Sequence, residues 1–230
     1  MKFLLASLMI AVSLTSLPVL GKENIARQVR DLVKRVDSRY ATTKDLQADF
    51  TQETRIEGFD TPLQSSGRVY IKKPGYLRWD YTKPSVEQIY VHDDRLQMYV
   101  PKHNQILKGN LSMMVATKAP LELLQGVGKL TEHFEVQPTD GGRTGEGGLP
   151  LLTLIPKNHG QPGSSTLARI VLEIQPDTYF IRSIALHEAS GNISTFRFTN
   201  VKANAGIDDT VFTLDAPEDV IVVEDVLPRS

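Results

Sequence analysis

Past Thr43 the chain is written in short runs in which apolar and polar side chains take turns, and a turn signal ends most of them. This period of two is the feature that most limits the possible folds. Only an extended strand sends alternate side chains to opposite faces. Leu46, Ala48 and Phe50 alternate with polar neighbours. Strand-like runs follow at 65–72, 76–82, 86–92, 95–100, 103–108, 133–137, 150–155, 168–175, 179–188, 192–201 and 211–214. Separators such as "KPG", "HDD", "QPD" and "SGN" are short and turn-forming. Many short strands in series predict an antiparallel sheet that curls or closes on itself.

Two segments break the alternation. Over 23–40, Ile25, Val29, Leu32, Val33, Val36 and Tyr40 recur at helical spacing, and Arg27, Arg30, Lys34 and Arg35 take the remaining positions. A basic amphipathic helix can lie on a membrane, but packing on its own domain is the plainer expectation. In "LSMMVATKAPLELLQGVGKL", Met113, Met114 and Thr117 share a helical face. Pro120 opens a second short helix carrying Leu121, Leu123 and Leu124, and Gly126 and Gly128 stop it. Two helical pieces are therefore expected in mid-sheet, as available covers for an apolar sheet face.

Residues 1–21 combine Lys2, an apolar run and small residues, with Val19 and Gly21 before a cleavage point at Lys22. This is the pattern of a secretory signal peptide, leaving 22–230 as one domain. The chain has no cysteine, so it carries neither a lipidated cysteine nor a disulfide frame. Its net charge of −1 gives no basic surface for nucleic acid. The five histidines, His92, His103, His133, His159 and His187, show no paired spacing for a metal, and no nucleophile elbow occurs. Asp93 and Asp94 read as a turn. "GGRTGEGG" lacks the following Lys-Ser/Thr of a phosphate loop. With "PKNHGQPGSS" it reads as mobile loops around the strand "LPLLTLIP".

What remains is a large apolar inventory. In "YLRWDY", Leu77, Trp79 and Tyr81 share one face, while Tyr76, Arg78 and Asp80 share the other. Met98 and Val100 face opposite to Tyr99, and Phe196 and Phe198 share a face. A curved sheet with helical covers can enclose an apolar cavity or an ordinary filled core, and periodicity does not choose between them.

These residues resemble the LolA family along nearly the whole chain after residue 21. Phe50 and Gln52 in "DFTQ" match its early F-x-Q, and Gly67 opens the next strand in "GRVYIKKPGYLRWDY". Pro74, Trp79, Tyr81, Pro84 and Gln88 follow its P-…-R-W-x-Y stretch. Asp93, Tyr99, Pro101 and Gln105 match the turn and strand after it. "APLELLQG" resembles its mid-sheet helix, and "FTLDAPEDVIVVED" its last strand and tail.

The resemblance implies an incomplete, unclosed β-barrel with the N-terminal helix and a mid-chain helical lid. It implies a monomer in the periplasm, with no enzymatic activity and no cofactor. Such a protein shields lipoprotein acyl chains and carries them from an inner-membrane ABC release complex to an outer-membrane receptor. The expected cavity residues are Phe50, Leu77, Trp79, Tyr81, Met98, Met113, Met114, Leu121 and Leu124. Lys73 stands where family members commonly carry Arg, and is the expected lid contact; its point charge makes a looser latch than a planar guanidinium. The insert over 139–165 is long for the family. Competing expectations are a carrier of lipids or glycolipids, a sensor of mislocalised lipoproteins, and a periplasmic hydrolase.

Overall fold

The computed structural model describes residues 19–110, 123–124, 130–139, 143–157 and 167–224, with side chains described from residue 24. Among these residues twelve strands form one sheet. They are β1 (Asp45–Arg55), β2 (Leu63–Lys72), β3 (Tyr76–Lys83), β4 (Glu87–His92), β5 (Arg95–Val100), β6 (Gln105–Asn110), β7 (Phe134–Pro138), β8 (Leu151–Pro156), β9 (Leu167–Ile174), β10 (Ile181–Glu188), β11 (Ile193–Ala203) and β12 (Ile221–Val223). The order is β12-β6-β5-β4-β3-β2-β1-β11-β10-β9-β8-β7. β12 pairs parallel to β6, and every other neighbouring pair is antiparallel. β12 and β7 are the two edges, so the sheet stays open and the expected unclosed barrel is what forms.

Cross-strand register turns the alternating pattern into continuous apolar rows. One row runs Val69, Trp79, Ile89, Met98, Leu107 across β2 to β6. The next runs Leu46, Ile71, Leu77, Val91, Leu96. On the other half, Phe196, Ile184, Leu172 and Leu152 stand side by side. These rows meet on one face in a single buried core.

Strands β2 and β3 approach each other closely at Gly67. The β2–β3 register shifts between Ser66 and Gly67, and Gly67 lies opposite Phe50 on β1. A Cβ at Gly67 would stand 1.8 Å from the Asp80 carbonyl oxygen and 3.0 Å from the Phe50 ring. The glycine thus lets one strand press against the next, and the Phe50 ring covers the gap.

Helix α1 (Val19–Thr42) is the cover of the apolar face. Val33, Val36 and Tyr40 are buried in the core, and Val29 and Leu32 pack against it. Ile25, 45% exposed, is the one residue of the expected stripe that does not join them. The helix therefore packs on its own domain. The Tyr40 ring meets Phe180 edge-on at 5.7 Å, and its hydroxyl accepts from the Ile181 N–H at 3.2 Å. Arg35 lies over the Tyr179 ring, while Arg39 lies over Phe180 and donates to the Thr178 carbonyl. A short second helix, α2 (Leu130–His133), precedes β7 and buries Leu130 in the same core. This turn of helix was not expected; the run at 133–137 gives its first residue to α2 and begins as a strand at Phe134. Of the mid-chain lid segment, Leu123 and Leu124 are helical and buried in that core. Met113, Met114 and Leu121 lie outside the described residues.

The opposite face carries two corrections. The run 211–214 was expected to be a strand, but Asp209–Phe212 forms a 3-10 turn instead. The Asp208 side chain caps it by accepting from the Thr210 N–H at 2.9 Å, and the local cap outweighs the apolar alternation of "VFTL". From there the C-terminal tail crosses the sheet. Lys72 donates to the Ile207 carbonyl, Arg78 donates to the Val211 carbonyl, and Phe212 packs 5.7 Å from the Tyr76 ring. The buried Asp45 carboxylate starts this path by accepting from the Ala205 and Gly206 N–H groups.

The second correction concerns "GGRTGEGG", expected to be mobile. Its described part, from Arg143, is tied to the sheet. The Glu146 N–H donates to Glu173 Oε1 at 2.7 Å, and Arg182 bonds Glu146 at 3.0 Å. Glu173 is buried, with Arg182 and Arg197 each 3.8 Å away. A Cβ at Gly145 would sit 2.1 Å from Glu173 Oε1, so only glycine lets the loop reach this carboxylate. Gly145→Ala is expected to cost about 1–3 kcal/mol, because the buried, paired Glu173 has little room to yield. A chemical-denaturation midpoint equal to the parent's would show that the loop is dispensable.

Candidate functional site

The described residues of the expected cavity meet on the sheet's apolar face. At its centre Trp79 is fully buried. Its ring centroid lies 4.5 Å from Phe50, 5.7 Å from Phe196, 6.3 Å from Phe198 and 6.4 Å from Tyr81. The Phe196 and Phe198 contacts are edge-on, the arrangement that aromatic quadrupoles prefer. β3 places Leu77, Trp79 and Tyr81 on this face at alternate positions, and β1 brings Phe50 to them across β2.

Of the expected cavity residues, Phe50, Leu77, Trp79 and Leu124 are buried in one core. Tyr81 and Met98 are partly buried against it. Phe196, Phe198, Ile184 and Leu172 join them from the second half of the sheet. Their strands were legible from alternation, but the pairing of β1 with β11 that brings them in was not. Sequence reading also missed a set of polar groups on this face. Tyr81 donates to Gln52 Oε1 at 2.8 Å, Gln52 donates to Thr54 at 3.2 Å, and Thr54 bonds Ser194 at 3.1 Å. Burial pushes the Tyr81 phenol up to about 12, so it stays neutral at physiological pH and serves as a hydrogen-bond group.

Lys73 sits beside the α1 cover. Its ammonium donates to the Tyr40 carbonyl in the last turn of α1, and its own N–H donates to the Lys44 carbonyl. A cation at a helix C-terminus is favourable to the helix dipole. Partial burial lowers the pKa of this amine. The contact that the structure gives Lys73 is thus with the N-terminal helix.

A model of the family described as "Outer membrane lipoprotein carrier protein LolA" matches residues 41–215. The chain belongs to the LolA family. Two relatives bear the name outer-membrane lipoprotein carrier protein. The one from Methylococcus capsulatus is 29% identical over 192 residues, covering 83% of this chain and 86% of the relative. That from Alkalilimnicola ehrlichii is 27% identical over 220 residues, covering 94% and 92%. An uncharacterised conserved protein of Thermus thermophilus shares the fold, with a TM-score of 0.55 at 15% identity over 86% of this chain and 99% of that one.

In this LolA-family chain the face so built offers apolar area and neutral hydrogen-bond groups. Its chemistry is that of shielding hydrocarbon from water.

Proposed function

We propose that this protein is a periplasmic carrier that shields the acyl chains of lipoproteins on the covered face of its sheet and shuttles them from the inner to the outer membrane. The observation that carries the reading is the cover itself. Among the described residues, a continuous apolar face of an open sheet is covered by one amphipathic helix and a few leucines, not by a second sheet. That cover can lift without dismantling the strands beneath it.

The physical need is large. Each buried CH₂ is worth about 0.8 kcal/mol, so several long acyl chains carry tens of kcal/mol of exposure cost through water. Among the described residues the same face is packed by Val33, Val36, Tyr40, Leu123 and Leu124. Loading is then an exchange of apolar cover for apolar cargo, with little net change in buried area. The surface fastenings of α1, at Lys73, Arg35 and Arg39, each amount to one hydrogen bond, joined at the two arginines by a ring contact, and such surface contacts are cheap to break. A shuttle needs such balance, because cargo held too firmly is not handed on. Release from an inner-membrane ABC complex and delivery to an outer-membrane receptor are the partners this reading requires.

A hydrophobic fluorescent probe bound to the protein is expected to be displaced by a triacylated lipoprotein peptide and not by its deacylated form. Equal displacement by both would count against the proposal. Phospholipid or glycolipid, found by mass spectrometry of extracted protein instead of acylated peptide, would point to a general lipid carrier.

A further inference from the structure

Trp79 is the chain's single tryptophan. Among the described residues its indole Nε1 is the one buried side-chain polar atom without a hydrogen-bond partner. An indole N–H donates only, and a buried donor left unmet costs about 1–3 kcal/mol. Beside it begins the polar track of Tyr81, Gln52, Thr54 and Ser194. The Tyr81 hydroxyl donates its proton to Gln52, and its oxygen lies near enough to the Trp79 N–H to feel it without reaching hydrogen-bond geometry.

Register fixes where this track leads. Gln52 stands opposite Phe196 and Ser65, and Thr54 stands opposite Ser194. Along β1 the face therefore changes from Phe50 to Gln52 to Thr54 toward the β1–β2 loop. That loop carries Phe59, 72% exposed, and leads into Leu63, 59% exposed. In the other direction, from Trp79 to Leu77 and Ile71, the face is wholly apolar. The boundary between hydrocarbon and polar surface thus falls at the Trp79 N–H. Glu87 stands opposite Tyr81 at the start of the track and is negative, so the track does not favour an anion. A neutral acceptor with a long hydrocarbon chain on one side and a polar head on the other fits it: an acyl ester or amide carbonyl.

Resting on the carrier reading, we propose that Trp79 Nε1 donates to an acyl carbonyl of the cargo. The tails then lie against Phe50, Leu77 and Ile71, and the head follows Gln52, Thr54 and Ser194 out past the β1–β2 loop. The site measures where an acyl chain ends, which hydrocarbon packing alone does not do.

A single tryptophan gives a single indole N–H resonance, so that readout needs no assignment. The ¹⁵N-labelled protein is titrated with monopalmitoylglycerol, which has an ester carbonyl, and with hexadecylglycerol, its ether analogue. The ester is expected to move the indole proton downfield and the ether to leave it in place. In Trp79→Phe the ester should bind about tenfold more weakly while the ether keeps its affinity, the size of one hydrogen bond. The same resonance shift with both ligands, or an equal loss for both in Trp79→Phe, overturns the subsite and leaves the carrier reading standing. If neither ligand binds, the carrier reading falls and the subsite falls with it.

Discussion

Gly67→Ala is expected to lower stability by about 3 kcal/mol or more, a large fraction of what a domain of this kind has to lose. The added methyl has no free direction. It would lie 1.8 Å from the Asp80 carbonyl oxygen and 2.8 Å from the carbonyl carbon, and both are backbone. Relief requires β2 and β3 to part at the point where their register already shifts. The Phe50 ring, 3.0 Å from the same methyl, would be displaced too, and with it the ring lying 4.5 Å away on Trp79. Urea unfolding followed through the fluorescence of Trp79 measures the loss directly. A change below about 1 kcal/mol would mean that the strand slides sideways and that the close approach is not a requirement of the fold.

A second large effect is expected at alkaline pH. Tyr40 is buried with only the Ile181 N–H against its hydroxyl, and burial pushes its phenol well above the ordinary value. Burial likewise moves the Tyr81 phenol up to about 12, although the neighbouring Trp79 N–H acts in the opposite sense. The unfolded chain ionises its tyrosines near 10, so the fold holds these two protons more tightly. Their contribution is whole below pH 10 and is lost as pH rises through 12. Each pH unit in that window removes about 1.4 kcal/mol through Tyr81, and Tyr40 adds to the loss in the same direction. The combined loss is a large fraction of the stability of a typical domain. Tyrosinate absorbance should therefore stay low and then rise together with loss of near-ultraviolet circular dichroism. Tyr81→Phe should move this transition to higher pH. Gradual ionisation from pH 10 with the fold intact would contradict the account.

How much of this was written in the sequence depends on the range over which each feature is decided. β2 to β5 and β8 to β11 were legible because side-chain alternation and turn residues are local, and the structure reproduces them within a few residues. The α1 stripe was legible for the same reason, down to Val33, Val36 and Tyr40. The alternation of "VFTL" misled because Asp208 caps a 3-10 turn, a choice made by one side chain. β12 is three residues long and exists through its pairing with β6, so no pattern marks it. The buried Glu173 is an acid in a strand until residues 145, 146, 182 and 197 are brought around it. At the candidate site, Trp79 and Phe50 were visible as residues and as family positions. The missing acceptor of Trp79 and the track through Gln52 to Ser194 follow from pairing β1 with β11. Those strands are more than a hundred residues apart, and alternation does not encode that pairing.

That same pairing decides when the molecule can come into being. β1 to β6 form a run of strands adjacent in both chain and sheet, and β7 to β11 form another. Each run can zip up from neighbouring sequence with little loop entropy to overcome. The seam between them waits for residues 193–203 to meet residues 45–55. A chain emerging from its N-terminus thus has two unjoined half-sheets until nearly all of it is present. The centre of the apolar face, where Phe50 meets Phe198, is completed last. For a chain threaded through a narrow pore this is an advantage, since the tertiary structure that would jam the passage is postponed to its end.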